Sequence, residues 1–113
     1  MREMKFRCWD SDNNRWMDEE GNAIRAVFTL ENKTYLKWTQ WTGLKDKNGV
    51  EIYEGDIVKF LSYDVSVLIT SEVFFDDGGF SVKDGVDYKP YLGVVGETEI
   101  IGNIYEDSEL VDK

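Results

Sequence analysis

The residues of this 113-residue chain that could carry chemistry are carboxylates, because the sequence contains no histidine. Histidine is the most common general base and a common zinc ligand, so its absence excludes Ser-His-Asp and Cys-His schemes and most transition-metal sites. Two pairs of aspartates remain, Asp76 with Asp77 and Asp84 with Asp87. Their oxygens could bind a hard cation such as magnesium or calcium. A metal-dependent, nuclease-like enzyme that uses these four residues is therefore one alternative.

A simpler interpretation of the aspartates is structural. Neither pair has the ligand spacing of a calcium loop. Residues 76–79, Asp-Asp-Gly-Gly, lie between Phe75 and Phe80 and are typical of a hairpin turn with positive φ at the glycines. A glycosidase would need two carboxylates at a defined separation across a cleft, which the sequence does not show. We therefore predict a protein that is not an enzyme, with no catalytic, cofactor-binding or metal-binding residues.

Residues 43–49, Gly-Leu-Lys-Asp-Lys-Asn-Gly, weakly resemble a phosphate-binding loop. The terminal Lys-Ser or Lys-Thr of such a loop is missing, and the residues that follow are not typical of a helix. The segment predicts a β-turn instead, with Lys45 and Lys47 as solvated charges.

Four tryptophans, Trp9, Trp16, Trp38 and Trp41, could form a stacking surface for bases or sugars. Single strands are normally stacked in a positively charged groove, whereas this chain has a formal net charge of −10. The composition therefore favours tryptophans that pack in the core or in a subunit contact.

The negative charge is concentrated in the second half of the chain. Residues 57–113 hold four basic and twelve acidic residues, a net of −8, so residues 1–56 contribute the remaining −2. This charge argues against direct contact with nucleic acid or anionic membranes and predicts that a basic partner would bind the second half. An acidic DNA mimic that inhibits a host nucleic-acid enzyme is a second alternative.

Other features indicate a cytoplasmic location. The single cysteine, Cys8, cannot form an internal disulfide, which is the usual staple of small secreted domains. Residues 1–10 lack the pattern of a signal peptide, and no stretch is long and apolar enough for a membrane span.

The elements that must position these residues are short strands. Segments rich in Val, Ile, Phe, Tyr, Trp and Thr alternate with glycine turns, so we predict a mainly β protein with little helix. Turn residues every 8 to 12 residues or so indicate a small barrel-like or sandwich domain of hairpin-connected strands. One domain over residues 1–113, with an acidic tail at 106–113, accounts for the length. Weak helix candidates are residues 18–26 and one turn at 108–111.

The N-terminal half contains two predicted hairpins. Residues 5–10 form a strand with Phe6 and Cys8 on one face, and a turn leads to Arg15–Met17. Residues 26–30 and 34–41 form the second hairpin, whose later strand is bent or broken near Thr39.

Two glycine turns then introduce the next strand. Asn48-Gly49 supplies the positive φ of a tight turn, and Glu54-Gly55-Asp56 repeats this before residues 57–60. In that segment Gly55 shapes the turn, Asp56 accepts hydrogen bonds from local amides, and Ile57 or Val58 enters the core.

The C-terminal half continues the same pattern. Val65, Val67 and Ile69 predict one core-facing side of a strand, and residues 73–75 pair with 80–82 in the clearest hairpin. Residues 99–105 form the last strand, with Gly102 at a bend or close backbone approach. The single proline, Pro90, marks an edge or loop.

The order of several blocks indicates kinship. The opening Met-Arg-Glu-Met-Lys-Phe-Arg-Cys-Trp-Asp is followed by residues 41–49, by Glu-Ile-Tyr-Glu-Gly-Asp-Ile-Val at 51–58, and by Ile-Gly-Asn-Ile-Tyr-Glu at 101–106. These blocks resemble the YopX family of phage and prophage proteins.

The resemblance implies a small, largely β accessory protein of a phage in the bacterial cytoplasm, without an assigned biochemical function. Since no catalytic set is visible, we predict that the protein acts non-catalytically through contacts with an unknown host or phage protein and that it associates with itself as a homo-oligomer. The chain departs from the family pattern at Cys8, which replaces a small residue and implies a buried packing role. It departs again at Asp107-Ser108, where the family has Asn-Pro, so a looser tail is expected.

Overall fold

A computed structural model describes residues 5–17, 36–62, 67–84 and 88–111. Most of these residues belong to short strands or the turns between them. The strands are β1 Phe6–Asp10, β2 Arg15–Trp16, β3 Leu36–Lys45, β4 Glu51–Tyr53, β5 Asp56–Leu61, β6 Leu68–Glu72, β7 Phe74–Asp76, β8 Gly79–Ser81 and β9 Glu99–Asn103. Two single 3-10 turns cover Leu92–Val94 and Ser108–Leu110. The sheets curl into half a barrel, which confirms the predicted mainly β class.

The first sheet has the strand order β2-β1-β3-β4, and its strands are antiparallel. The predicted hairpin between β1 and β2 is confirmed, with Trp9 opposite Trp16. Cys8 is fully buried against Leu36, Met17 and Trp38. Phe6, predicted on the same face as Cys8, is 47% exposed, since this cluster covers only the end of β1 that is near Cys8.

Strand β3 is longer than predicted. It runs unbroken past Thr39 to Lys45, and its irregularity lies between Trp41 and Lys45, where the pairing with β4 changes register. Gly43 sits inside this irregularity with a φ of 89°. The turn predicted over residues 43–49 therefore begins only at Asp46, because Gly43 serves a bulge within the strand.

The second sheet has the order β6-β5-β9, with β5 in the centre. Ile57 and Val58 of β5 are both completely buried, as expected for the strand after the second glycine turn. Strand β9 ends at Asn103, two residues earlier than predicted, and its register shifts opposite Ile57 and Val58. The close approach predicted at Gly102 is confirmed, because a Cβ there would lie 2.6 Å from an Asp107 carboxylate oxygen.

The predicted core face at residues 65–69 is formed at Ile69, which packs against the core cluster that contains Phe60, but not at Val67. Val67 is 54% exposed and precedes β6, and Leu68 is 63% exposed, while Ile69 is only partly buried. Val65 lies outside the described residues. Val67 and Leu68 lie just before and at the start of β6, an edge strand of its sheet, and their side chains remain exposed.

The β7–β8 hairpin is confirmed, with Phe75 opposite Phe80. Its turn differs in one detail from the prediction. The positive φ angles fall on Asp77 at 52° and Gly78 at 80°, not on the two glycines. Two consecutive positive φ angles at an Asp-Gly step are typical of a type I′ hairpin turn.

The backbone of Gly55 forms hydrogen bonds with distant segments of the chain. Its N–H donates to the Val73 carbonyl at 2.8 Å, and its carbonyl accepts from the Ile104 N–H at 2.9 Å. Its φ is 93°, and a Cβ there would lie 3.3 Å from the Tyr105 ring. The predicted turn therefore does more than reverse the chain, because two separate segments, at Val73 and at Ile104–Tyr105, contact its backbone.

The main core lies between β5 and the later segments, and consists of Ile52, Val58, Phe60, Val73, Val82 and Leu92. Pro90, predicted at an edge or loop, lies outside the strands, and its carbonyl accepts from the Val82 N–H at 3.1 Å. The tail is not loose at Asp107, whose N–H donates to the Asn103 carbonyl at 2.8 Å. The helix candidate at 108–111 is a single 3-10 turn, Ser108–Leu110.

Some predictions lie outside the described residues, namely the helix candidate at 18–26 and the strand at 26–30. No helical segment of the described residues has the length and apolarity that a membrane crossing requires.

Candidate functional site

Of the aspartates that could have formed a metal site, those in the described residues lie in two different parts of the fold. Asp76 and Asp77 are exposed on the β7–β8 hairpin, Asp84 lines a groove beside β5, and Asp87 lies outside the described residues. Within the described ranges, no three histidine, cysteine or acidic residues come together as a potential metal site. The hairpin places Asp76 and Asp77 by turn geometry, as the structural interpretation predicted.

Two of the tryptophans belong to an aromatic cluster that also contains Arg7. The Arg7 guanidinium carbon lies 4.3 Å from the ring centroid of Trp16 and 4.6 Å from that of Tyr53. Trp9 packs edge-to-face on Trp16 at 5.0 Å and stacks on Tyr105 at 5.7 Å. Since these rings contact each other and an internal cation, they form a packed cluster that joins the first sheet to the C-terminal turn.

Arg7 also forms an ion pair with Asp56, the residue after Gly55. Burial raises the pKa of the Asp56 carboxyl, and Arg7 and the Tyr53 N–H offset only part of this rise. The Tyr53 N–H donates to Asp56 Oδ2 at 2.8 Å, so the predicted role of Asp56 as an acceptor for a local amide is confirmed. The pair is thus a connection between sheets rather than an accessible acid or base.

Cys8 is equally unsuited to chemistry. The side chain is fully buried, and burial raises the pKa of its thiol, with Asp10 adding to the rise. A thiol of raised pKa forms little of the nucleophilic thiolate. The packing role expected for Cys8 agrees with this position.

The sequence analysis missed the role of Asp46. Its Oδ1 accepts from the N–H groups of Asn48 and Val50, both at 2.9 Å, and its Oδ2 accepts from the Ile100 N–H at 3.0 Å. Burial alone would raise the pKa of the Asp46 carboxyl. The three N–H donors lower this pKa by more than burial raises it, so the pKa lies below its ordinary value. The sequence position, two residues before Asn48-Gly49, indicated a turn cap but not the bond to β9.

Among the described residues, two surface grooves are places where another molecule could bind. The first, here called the Leu68 groove, has a volume of about 690 Å³ and lies beside β5 and β6. Its exposed apolar side chains are Leu61, Leu68, Tyr88 and Val94. An ion pair between Lys47 and Glu99 at 3.6 Å adds charge to its rim.

The second, here called the aromatic groove, has a volume of about 780 Å³ and lies between β3, the β7–β8 hairpin and the segment after Pro90. Its walls carry Leu44, Phe75, Phe80 and Tyr91, and no charged side chain lines it. Sequence reasoning did not find this site, because Tyr91 reaches the hairpin only through tertiary structure.

The comparisons with known proteins agree with this fold. The family described as YopX protein matches residues 5–112. No curated protein matches the chain.

Among solved structures, protein EF1440 from Enterococcus faecalis is similar with a TM-score of 0.69 and 22% identity, covering 99% of this chain and 100% of that one. Protein yopX from Bacillus subtilis is similar with a TM-score of 0.66 and 24% identity, with the same coverage of 99% and 100%. At these identities the structures show a shared fold, and the family match covers nearly the whole chain. The chain belongs to the YopX family.

Proposed function

We propose that this protein is a non-catalytic accessory protein of a phage or prophage, acting in the bacterial cytoplasm by binding other proteins, including copies of itself. The observation that carries this proposal is the placement of its exposed apolar side chains. Four of them, Leu61, Leu68, Tyr88 and Val94, line the Leu68 groove, and three more line the aromatic groove.

Exposed apolar residues are ordinary when they are scattered singly, but contiguous apolar surface marks sites of association. Val94 and Leu68 are the most exposed of the set, at 68% and 63%. The Leu68 groove follows an edge strand, β6, whose outer side is unpaired among the described strands. An edge strand beside apolar side chains suits association with another copy.

Light scattering at increasing protein concentration tests self-association. We expect the wild-type chain to form oligomers and Leu68→Lys to shift the equilibrium towards monomer. Leu110→Lys is the matched control, because Leu110 is 41% exposed and lines neither groove. Equal masses for the wild type and Leu68→Lys would contradict the role of this groove in self-association.

Binding to other proteins is tested by placing a photo-crosslinking residue at position 68, 75 or 110 in bacterial cells. We expect protein adducts at 68 or 75 and none at 110. Adducts of equal yield at all three positions would contradict the proposal. A melting temperature raised by magnesium or manganese, with the rise abolished by Asp76→Asn and Asp77→Asn, would favour a metal-dependent enzyme instead.

A further inference from the structure

We infer that β6 of one chain pairs antiparallel with β6 of a second copy across a two-fold axis, an inference that rests on the proposed function as a self-associating protein. The two three-stranded sheets then form one continuous sheet of six strands. In the single chain β6 lies at the edge of its sheet and pairs only with β5 among the described residues. One side of its backbone therefore faces away from its own sheet.

Hydrogen bonds at the two ends of β6 show which backbone groups face away from β5. The Ser62 N–H donates to the Val67 carbonyl, and the Val73 N–H donates to the Asp56 carbonyl, both at 2.8 Å. The register between β5 and β6 is unbroken from one end to the other. Because backbone groups alternate in direction along an antiparallel strand, the even-numbered residues direct theirs outward. Those residues are Leu68, Thr70 and Glu72.

Two of these three positions have no backbone partner in the part of the chain that the structure describes. The Glu72 carbonyl accepts from the Ser71 hydroxyl at 2.9 Å. No described residue bonds to the outward N–H and carbonyl groups of Leu68 and Thr70. These groups can therefore form a short ladder with another strand.

The opposite edge of the same sheet is closed by the chain itself. Along β9 the Ile100 N–H donates to Asp46 Oδ2 at 3.0 Å, and the Asn103 N–H donates to Asp107 Oδ2 at 3.2 Å. Edge strands that stay unpaired are commonly protected by such contacts, by charged side chains, by proline or by a bulge. Residues 68–71 of β6 carry no charge and no proline, and the pairing with β5 contains no bulge. The contrast indicates that the edge of β6 receives another strand.

Charge favours a second copy as that strand. Two chains that each carry a formal net charge of −10 repel each other, so they associate best where the contact itself is free of carboxylates. Residues 68–71 meet this condition, and the residue of β5 opposite Thr70 is the basic Lys59. A basic partner, by contrast, would gain no attraction from this uncharged edge.

The register follows from the outward groups. Hydrogen bonds form in both directions where an outward residue of one copy lies opposite an outward residue of the other. Leu68 opposite Thr70 of the second copy meets this condition and puts the two-fold axis between the two copies of Ile69. Thr70 opposite Thr70 would place the exposed Leu68 against a Glu72 carboxylate. Leu68 opposite Leu68 would use only the first residue of each strand.

This register also joins the exposed leucines into one stripe. Leu61 of β5 lies opposite Leu68 of β6, and the two are 49% and 63% exposed. In the pair of copies, the two Leu68 side chains are diagonal neighbours about 7 to 8 Å apart, which long side chains can bridge. Four leucines therefore cross the two-fold axis on one face. Each copy contributes the same patch, as a two-fold interface requires.

Amide hydrogen exchange, followed by NMR at increasing protein concentration, tests the pairing. We expect the amide protons of Leu68 and Thr70 to exchange slower by roughly tenfold or more in the dimer than in the monomer. The Ser71 amide is the internal control. Because it faces β5, it should be protected at every concentration.

Thr70→Pro tests the outward hydrogen bonds directly. Proline removes the N–H that faces away from β5 and leaves the β5–β6 ladder intact, so we expect a folded monomer by light scattering and circular dichroism. Thr70→Val keeps this N–H and is the matched control, which should still dimerise. Thr70→Lys places a charge opposite Leu68 of the second copy and should also give a monomer if the proline disturbs the strand.

A sample mixed from isotope-labelled and unlabelled chains tests the register. Opposed residues of a non-hydrogen-bonded pair have Cα atoms about 4.5 Å apart, so an isotope-filtered NOE spectrum should show contact between the Hα atoms of the two copies of Ile69. Protected Leu68 and Thr70 amides without this contact would overturn the stated register.

The remaining outcomes separate this inference from the proposed function. Oligomers in which the Leu68 and Thr70 amides exchange as fast as in the monomer, or which Thr70→Pro leaves intact, would reject edge pairing and retain self-association. A chain that stays monomeric up to about 1 mM would reject both. Adducts at position 68 formed only with other proteins would assign the edge to a different partner and also overturn the inference.

Discussion

Asp46 and Asp56 show how two buried carboxylates in one small fold can act in opposite ways. Asp46 is held by three backbone N–H donors, which stabilise its charged form. Asp56 is more deeply enclosed and has its pKa raised by burial despite the ion pair with Arg7. Both residues connect strands, but only the charge of Asp46 is favoured by folding.

Replacing Asp46 with alanine should lower the free energy of unfolding by about 3 kcal/mol at neutral pH, because charged acceptors make strong hydrogen bonds. Asp46→Asn should cost about half as much, since it retains one acceptor oxygen. Urea unfolding measures both. An effect below about 0.5 kcal/mol for the alanine would contradict the bonds to Asn48, Val50 and Ile100.

The contribution of Asp46 should also depend on pH. Its folded-state pKa lies below the ordinary value of 3.8. An acid whose pKa is lowered by folding stabilises the fold above its unfolded pKa, and this stabilisation is lost as the pH falls through the folded pKa. The stability difference between wild type and Asp46→Ala should therefore be constant near neutral pH and shrink in unfolding curves recorded below pH 3.8. A difference that grows in acid would contradict the lowered pKa.

Arg7 and Asp56 should be energetically coupled. Removing one partner leaves the other buried and unpaired, so Arg7→Met and Asp56→Asn should each cost about 3 to 5 kcal/mol. The double variant should cost less than the sum of the two, by about 1 to 3 kcal/mol. Thermal and urea unfolding of the four proteins provides the test, and additive losses would show that the pair does not interact.

At the scale of the elements, the β7–β8 hairpin contains two neighbouring glycines, one of which is needed for its backbone conformation and the other for its contact with a side chain. Gly78 has a φ of 80° and open space around its Cβ position, whereas Gly79 faces the Tyr91 ring at 2.7 Å. Neighbouring glycines therefore serve different purposes within one turn.

Gly78→Ala should lower the free energy of unfolding by about 1 to 2 kcal/mol, the usual penalty of a left-handed conformation, and leave Tyr91 in place. Gly79→Ala should displace the Tyr91 ring and break its hydrogen bond to the Asp77 carbonyl. Aromatic proton-carbon NMR spectra distinguish the two, because only the second variant should shift the Tyr91 signals. A shift of those signals in Gly78→Ala alone would reverse the assignment.

The elements were predictable where local chemistry determines them. The β1–β2 and β7–β8 hairpins, the turn at Gly55 and the bend at Gly102 follow from alternation and turn residues, which act over a few positions. The mistake at Val67 has a physical cause. Alternation predicts which residues share a face, but which part of that face is covered depends on distant segments.

The candidate site was harder to predict for the same reason. Leu44, Phe75 and Tyr91 come from three separate parts of the chain, and they meet only because β3 continues through Gly43 and residue 91 bridges to Ser81. The Asp-Gly turn was visible in the sequence. The hydrogen bond from the Tyr91 hydroxyl to this turn was not visible, because its acceptor is the backbone carbonyl of Asp77.

For the whole molecule, the pattern of pairing indicates that the strands form a single cooperative unit. Arg7 of β1 reaches Asp56 of β5, and Trp16 of β2 donates to Glu106 at 3.3 Å. Removal of residues beyond Gly96 deletes β9 and should therefore unfold β1 and β3 as well as β5 and β6. A truncated chain that kept a sharp melting transition and native-like tryptophan fluorescence would show that the first sheet is stable alone.

The central position of β5 has a further consequence for folding during translation. Its partner β9 is completed 47 residues later, since Asp56 pairs with Asn103. During that interval one edge of β5 and the apolar surface beside it have no native partner. Nascent chains should therefore remain sensitive to protease, and should recruit chaperones, until the Asn103 codon has been read and its residue has left the exit tunnel.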